Sequence, residues 1–232
     1  MKLGTWLSIG SPIIAELAAQ SGFDWLLLDL EHGCSTETGI LPQLQAIRGT
    51  DTAAIVRVGA PYPDLIARVL DWGTHGIMVP HVNSAAEAGQ IVKASRYSPD
   101  GSRGFSRTVR ANDYGLSSID EVAPPLIMAQ IETIEGVNHA AGIAAVDGID
   151  ILFVGPSDLQ HDLKNRSDLA PGDFDFCISR VAEAAKAAGK ATGILVRDIR
   201  DTGKYRELGF TYIAVDSDLA ILRKSYLGTT KS

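Results

Sequence analysis

The sequence predicts an α/β chain closed into a (β/α)8, or TIM, barrel. Eight apolar runs of strand length recur along the 232 residues, and stretches of helical spacing separate most of them. The runs are rich in Ile, Val, Leu and Trp with little polar alternation, as strands covered on both faces require.

In chain order the runs are TWLSIG (5–10), WLLLDL (25–30), AAIVRV (53–58), GIMVP (76–80), LIMAQI (126–131), DILFVG (150–155), ATGILV (191–196) and TYIAV (211–215). Between them, PIIAELAAQSG, PDLIARVLDWG, SAAEAGQIVKASR and ISRVAEAAKAAGK carry helical periodicity, and several close on glycine, a common helix stop. An open doubly wound sheet is the alternative. Against it, no GxGxxG follows the first run, and eight repeats suit closure. No linker composition divides the chain, so residues 1–232 are expected to form one barrel domain.

One connection breaks the rhythm. Residues 96–125 hold glycine, proline, tyrosine and Arg96, Arg103, Arg107 and Arg110 where a plain helix is expected. Two readings stand side by side for such an insertion: a lid closing over an anionic ligand, or a loop packed on a neighbouring subunit.

Composition narrows the function. A net charge of −7 argues against nucleic acid as a partner, because phosphate binding needs a basic surface. No apolar run is long enough to cross a bilayer, and the start MKLGTWLSIGSP argues against a secretory signal. Cys34 and Cys177 lie far apart and form no CxxC pair, which suits a reducing cytoplasm. Cys34 lies near His32 and has the position of a nucleophile, although a small filler residue is the preferred reading.

In a barrel, the C-terminal strand ends share one mouth, where active sites form. Those ends supply Asp29, Glu31 and His32 after the second run, Arg57 at the third, Gln130 and Glu132 at the fifth and Asp158 after the sixth. Arg197 and Asp216 follow from the seventh and eighth. A lone arginine at a strand end is more often in a structural ion pair than in catalysis. Together the groups place carboxylates, an imidazole and a guanidinium around one cavity.

Glu132 and Asp158 have the character of a metal pair, since hard divalent cations take oxygen ligands and need few carboxylates. The backbone N–H groups of Ser157 and Asp158 are placed to face an anionic substrate group. Taken alone, SDL reads better as a helix N-cap. No lysine falls near the C-terminal end of a predicted strand, so imine chemistry is disfavoured. The last two strand ends lack Gly-rich turns and carry Asp216 and Asp218, which argues against a phosphorylated substrate.

The segments GFDWLLLDLEHG, the VR of AAIVRV, LDWGTHGIMVPHVNSAAEA, RYSPDGSRG, QIETIEGV and FVGPSDL together resemble the HpcH/HpaI aldolase family of the phosphoenolpyruvate/pyruvate barrel superfamily. They span most of the chain, and the combination of LEHG, QIET and GPSDL is specific. The resemblance implies a class II aldolase, dependent on Mg²⁺, Mn²⁺ or Co²⁺, that cleaves a 4-hydroxy-2-oxo acid to pyruvate and an aldehyde. Position by position it implies Glu132 and Asp158 as metal ligands, His32 as the base and Arg57 as the group that steadies the enolate. Gln130, Ser157 through its backbone, and Asp158 match substrate contacts, and Asp71 of LDWG matches an acid paired with the histidine. Asp29 and Glu31 then read as support for His32. Two positions depart from the family: Ser157, where alanine is common, and His81 of VPHV, where apolar residues are familiar.

Asp71 ends the helix before the fourth strand, at the face opposite the mouth. From the sequence alone Asp71 reads better as closing that helix or making a local ion pair; the resemblance implies instead pairing with the His32 of a neighbouring subunit, and hence a homo-oligomer, a hexamer. Two rival functions stay open: an acyl-CoA lyase of the citrate lyase β type, and a non-catalytic barrel that binds an oxo acid.

Overall fold

The computed structural model describes residues 1–117, 123–165 and 174–230. Eight parallel strands close on themselves in sequence order: β1 Lys2–Leu7, β2 Trp25–Asp29, β3 Ala53–Arg57, β4 Gly76–Val79, β5 Leu126–Ile131, β6 Ile151–Val154, β7 Ala191–Val196 and β8 Tyr212–Ser217. Closure is made by β1, which pairs with both β2 and β8. The helices are α1 Pro12–Gln20, α2 Glu37–Ile47, α3 Pro63–Asp71, α4 Ala85–Ser95, α5 Ile134–Ala144, α6 Pro156–Asn165, α7 Phe174–Ala187, α8 Thr202–Glu207 and α9 Asp218–Thr230.

Every expected strand is present, with shifted ends. β1 starts three residues earlier than expected because Lys2, Leu3 and Gly4 pair with β8, while Ser8 and Ile9 turn away to donate their N–H groups to Asp218. α2 carries Pro42 inside it, which obscured its period in the sequence.

Two apolar layers hold the barrel. Leu26, Leu28, Ile55's neighbours Ala54 and Val56, and Ile77 face outward beneath the helices. Trp6, Trp25, Leu27, Ile55, Met78, Met128, Ile151, Phe153 and Ala214 fill the interior. The rings of Trp6, Trp25 and Phe153 lie 5.4–6.2 Å apart, centre to centre, in edge and tilted contacts that plug the lumen. Because side chains alternate along a strand, the inward parity of Leu27, Ile55, Met128 and Ala214 continues to Asp29, Arg57, Gln130 and Asp216. The apolar layer is thus the floor, and the polar groups stand directly above it.

The 96–125 connection runs from α4 to β5, so it lies at the N-terminal face of the barrel, away from the mouth. Arg96, Arg103 and Arg110 are engaged there. Arg103 donates to Asp71 at 2.6 Å and stacks over Tyr97, Arg110 donates to the carbonyls of Trp72 and Leu44, and Arg96 pairs with Asp147. This position and these contacts leave the segment away from its own barrel's mouth, against the reading as a lid over that mouth. The reading of this segment at 118–122 lies outside the described residues.

Candidate active site

The mouth is built around Arg57. Asp29 and Arg57 are register partners on β2 and β3 with the same inward parity. Arg57 Nε donates to Asp29 Oδ1 at 2.9 Å and its Nη2 to Oδ2 at 2.7 Å, both side chains being buried. A second carboxylate oxygen, Glu31 Oε2, lies 2.8 Å from Arg57 Nη1 as an ion pair, without the alignment of a hydrogen bond. A guanidinium fixed on two sides by carboxylates has its plane set before any ligand arrives.

Asp29 also shapes the turn that follows. Its Oδ1 accepts the N–H groups of Glu31 at 3.0 Å and His32 at 3.3 Å, an Asx-type closure of the LEHG bend. Gly33 completes the bend because a Cβ there would strike the Asp29 carbonyl oxygen. His32 emerges with 65% of its side chain exposed, its Nε2 3.8 Å from Glu31 Oε1. Asp29 therefore serves His32 through its backbone and Arg57 through its side chain, a wider role than support of the imidazole alone.

A cleft of about 340 Å³ gathers His32, Arg57, Gln130, Ser157 and Asp158, with Trp6 and Phe153 beneath. Asp158 is the third residue of α6, so it lies inside the first turn and not at the cap that SDL alone suggested. Pro156 opens that helix, where a missing N–H costs nothing. The N–H groups of Ser157 and Asp158 fall in the first turn, whose donors have no intrahelical acceptors. Arg197 reaches the same rim and donates to Ser157 Oγ at 3.4 Å.

Glu132 joins the cleft through Gln130, whose Nε2 donates to Glu132 Oε2 at 2.6 Å. Gly155 leaves the room for this pair, since a Cβ there would overlap Glu132 Oε2. Glu132 is 2% exposed, and burial raises its pKa to about 7, with the charges of Asp158 and Glu31 adding to the rise and His81 opposing it. The desolvated Glu132 carboxyl lies near two other acids with the His81 ring as its one basic neighbour, 3.1 Å away, and Gln130 Oε1 is buried without a partner. That oxygen-rich, charge-deficient set fits a divalent cation.

The sequence reading underused His81. Among the described residues, Glu31, His81 and Glu132 each offer a donor atom within 4.8 Å of the others. The signal was its position just past β4, where the β4–β5 register of Val79 with Ala129 brings it beside the end of β5.

Asp71 is not brought to the mouth. It ends α3 at the opposite face and binds Arg103. Asp216 is paired with Lys224 at 2.6 Å and Arg197 at 3.5 Å, and the Asp218 carboxylate is taken up by backbone N–H groups. The Asp216 charge is thus paired with cations, while Asp218 keeps its negative charge among backbone N–H dipoles.

A barrel with fixed guanidinium, exposed imidazole and buried carboxyl at one mouth belongs to the class of barrels built for chemistry at their C-terminal face. The profile of the HpcH/HpaI aldolase/citrate lyase family matches residues 2–225, and the chain belongs to that family. It is 38% identical over 231 residues to a 5-keto-4-deoxy-D-glucarate aldolase of Klebsiella pneumoniae, covering 97% of this chain and 89% of the relative. A protein of the same name from an Enterobacter species is 39% identical over the same shares. A crystal structure of an HpcH/HpaI aldolase/citrate lyase family protein from Burkholderia cenocepacia superposes with a TM-score of 0.92 at 35% identity, covering 99% of this chain and 93% of that one.

Proposed function

We propose that this chain, as one barrel domain, is a class II aldolase that reversibly cleaves a 4-hydroxy-2-oxo acid to pyruvate and an aldehyde. The observation that carries the reading is Arg57, locked by Asp29 in the cleft that also holds His32, Gln130, Ser157 and Asp158. The names of the relatives agree with it.

Glu132 and Asp158 would hold a divalent ion (Mg²⁺, Mn²⁺ or Co²⁺), which when bound supplies Lewis-acid polarisation of the 2-oxo group. The chain's own residues do the rest. The N–H groups of Ser157 and Asp158 receive the substrate carboxylate, and Gln130 fixes the 2-oxo end. His32 takes the proton of the 4-hydroxyl, and the carbonyl of the aldehyde forms as the C3–C4 bond breaks. The electron pair of that bond forms the C2=C3 double bond and the carbonyl π pair moves onto the 2-oxo oxygen, giving the pyruvate enolate, whose charge faces Arg57. A proton from solvent then reaches C3, the proton taken by His32 returns to solvent, and pyruvate leaves. Clamped by two carboxylates, Arg57 cannot swing to follow the ground state, so its fork is aimed in advance at the developing charge.

The same reading includes a homo-oligomer, a hexamer, in which Asp71 reaches the His32 of a neighbouring subunit, and a cytoplasmic location, consistent with the exposed thiol of Cys34. The test is pyruvate release from a panel of 4-hydroxy-2-oxo acids, with and without rigorous chelation. Metal-dependent release from at least one acid is expected. Ligand-induced thermal stabilisation without turnover would favour a binding protein instead.

A further inference from the structure

His81 sits at φ 53°, in the left-handed region that few non-glycine residues enter, histidine being among those enriched there. In that conformation both its backbone and its ring meet Glu132. The His81 N–H donates to Glu132 Oε1 at 2.8 Å, and its ring Nδ1 lies 3.1 Å from the same oxygen. The other ring nitrogen, Nε2, faces Glu31 Oε1 at 3.5 Å. Backbone and imidazole thus both converge on the buried carboxylate that the functional reading assigns to the metal. More than half of the ring surface remains open to the mouth. Beside it, Gln130 keeps an amide oxygen buried and unpartnered while its nitrogen holds Glu132.

We propose that His81 is a protein ligand of the divalent ion, so that the centre mixes imidazole nitrogen with carboxylate oxygen and selects a transition-metal dication such as Mn²⁺ or Co²⁺ over Mg²⁺. Oxygen-only sites suit Mg²⁺, whereas an imidazole ligand gains most with later first-row ions. The inference rests on the metal reading of Glu132 and adds to it the donor that sets metal preference.

The opposing account uses the same contacts. His81 as an imidazolium would stand where the cation goes, neutralise Glu132 and compete with the metal. The two accounts predict opposite effects of removing the ring. His81→Asn suits the test because asparagine tolerates positive φ, and His81→Gly is a second variant free of any side-chain donor. Circular dichroism checks that each is folded.

Pulsed electron paramagnetic resonance on the Mn²⁺-loaded protein reads the ligand directly. We expect ¹⁴N coupling from a bound imidazole that persists in His32→Asn and disappears in both His81 variants. Calorimetric titration should show Co²⁺ affinity falling by about 10–100-fold in the His81 variants while Mg²⁺ affinity changes little. Bound Mn²⁺ without the nitrogen coupling, or tighter metal binding after loss of the ring, overturns the ligand role and leaves the metal reading of Glu132 standing. No detectable Mn²⁺ binding to the wild-type protein overturns both.

Discussion

Asp29 and Arg57 face each other across adjacent strands and close a two-pronged ion pair at 2.9 and 2.7 Å, inside a mouth where both are buried. Removing Asp29 leaves Arg57 with Glu31 as its one carboxylate and takes the acceptor from the Glu31 and His32 N–H groups, a loss smaller than the ~3–5 kcal/mol of a fully orphaned buried charge. Asp29→Ala should therefore lower both stability and turnover, as denaturant unfolding and steady-state assays would register. Arg57→Lys keeps the charge and loses the planar fork, so turnover should fall while metal affinity is retained. Full turnover of that variant in saturating metal and substrate would remove Arg57 from the mechanism.

Glu132 links metal binding to pH. Its pKa in the folded, metal-free chain rises from an ordinary 4.5 to about 7, with burial the main cause. The sign follows: the folded state holds this proton more tightly than the unfolded one. The resulting stabilisation is complete below 4.5 and is lost as pH rises through about 7. Metal must displace the proton, so affinity should increase with pH up to about 7 and level off above it. Calorimetry in buffers of different ionisation heat should find proton release on the acid side that vanishes in Glu132→Gln. Equal release in that variant would assign the proton elsewhere.

His75 gives a second pH dependence, remote from the mouth. Burial lowers its pKa, and its Nδ1 accepts the Ala54 N–H at 3.0 Å, which only a neutral ring nitrogen can do. A lowered folded value means stability is fully present above the ordinary 6.5 and is lost as pH falls through the folded value. Urea midpoints should decline on that acid side for the wild type and decline less for His75→Asn. Parallel curves would show that other groups carry the loss.

Asp71 separates two outcomes. Within its own chain it is the partner of Arg103 at 2.6 Å. If it also completes a neighbour's site, hybrids of His32→Ala and Asp71→Ala chains should recover part of the activity each lacks alone. Verified hybrids that recover none would leave Asp71 as a structural partner of Arg103.

Much of this mouth was readable from the residues. Several runs of inward apolar side chains end on a polar residue of the same parity, and that change marks where a covered strand meets an open cleft, as from Leu27 to Asp29 or Met128 to Gln130. Other features depend on which groups meet across the barrel. That Asp29 serves Arg57 as well as His32 follows from the β2–β3 register, which no local pattern encodes. The arginines of the 96–125 connection suggested an anion, yet a helix-to-strand link must lie at the barrel's other face, and there Arg103 and Arg110 find Asp71 and backbone carbonyls. His81 was visible only as a residue out of keeping with its neighbours, because its partners Glu31 and Glu132 come from two other strand ends.

The central claim is a pyruvate enolate formed with a metal held at Glu132 and charge received by Arg57. Its most direct test is deuterium exchange into the methyl group of pyruvate in D₂O, followed by NMR after removal of the metal. The account predicts exchange that requires a divalent ion, falls to the buffer rate in Glu132→Gln and is strongly slowed in Arg57→Lys. Exchange that continues after complete chelation, or no exchange above the buffer rate with metal bound, would contradict it.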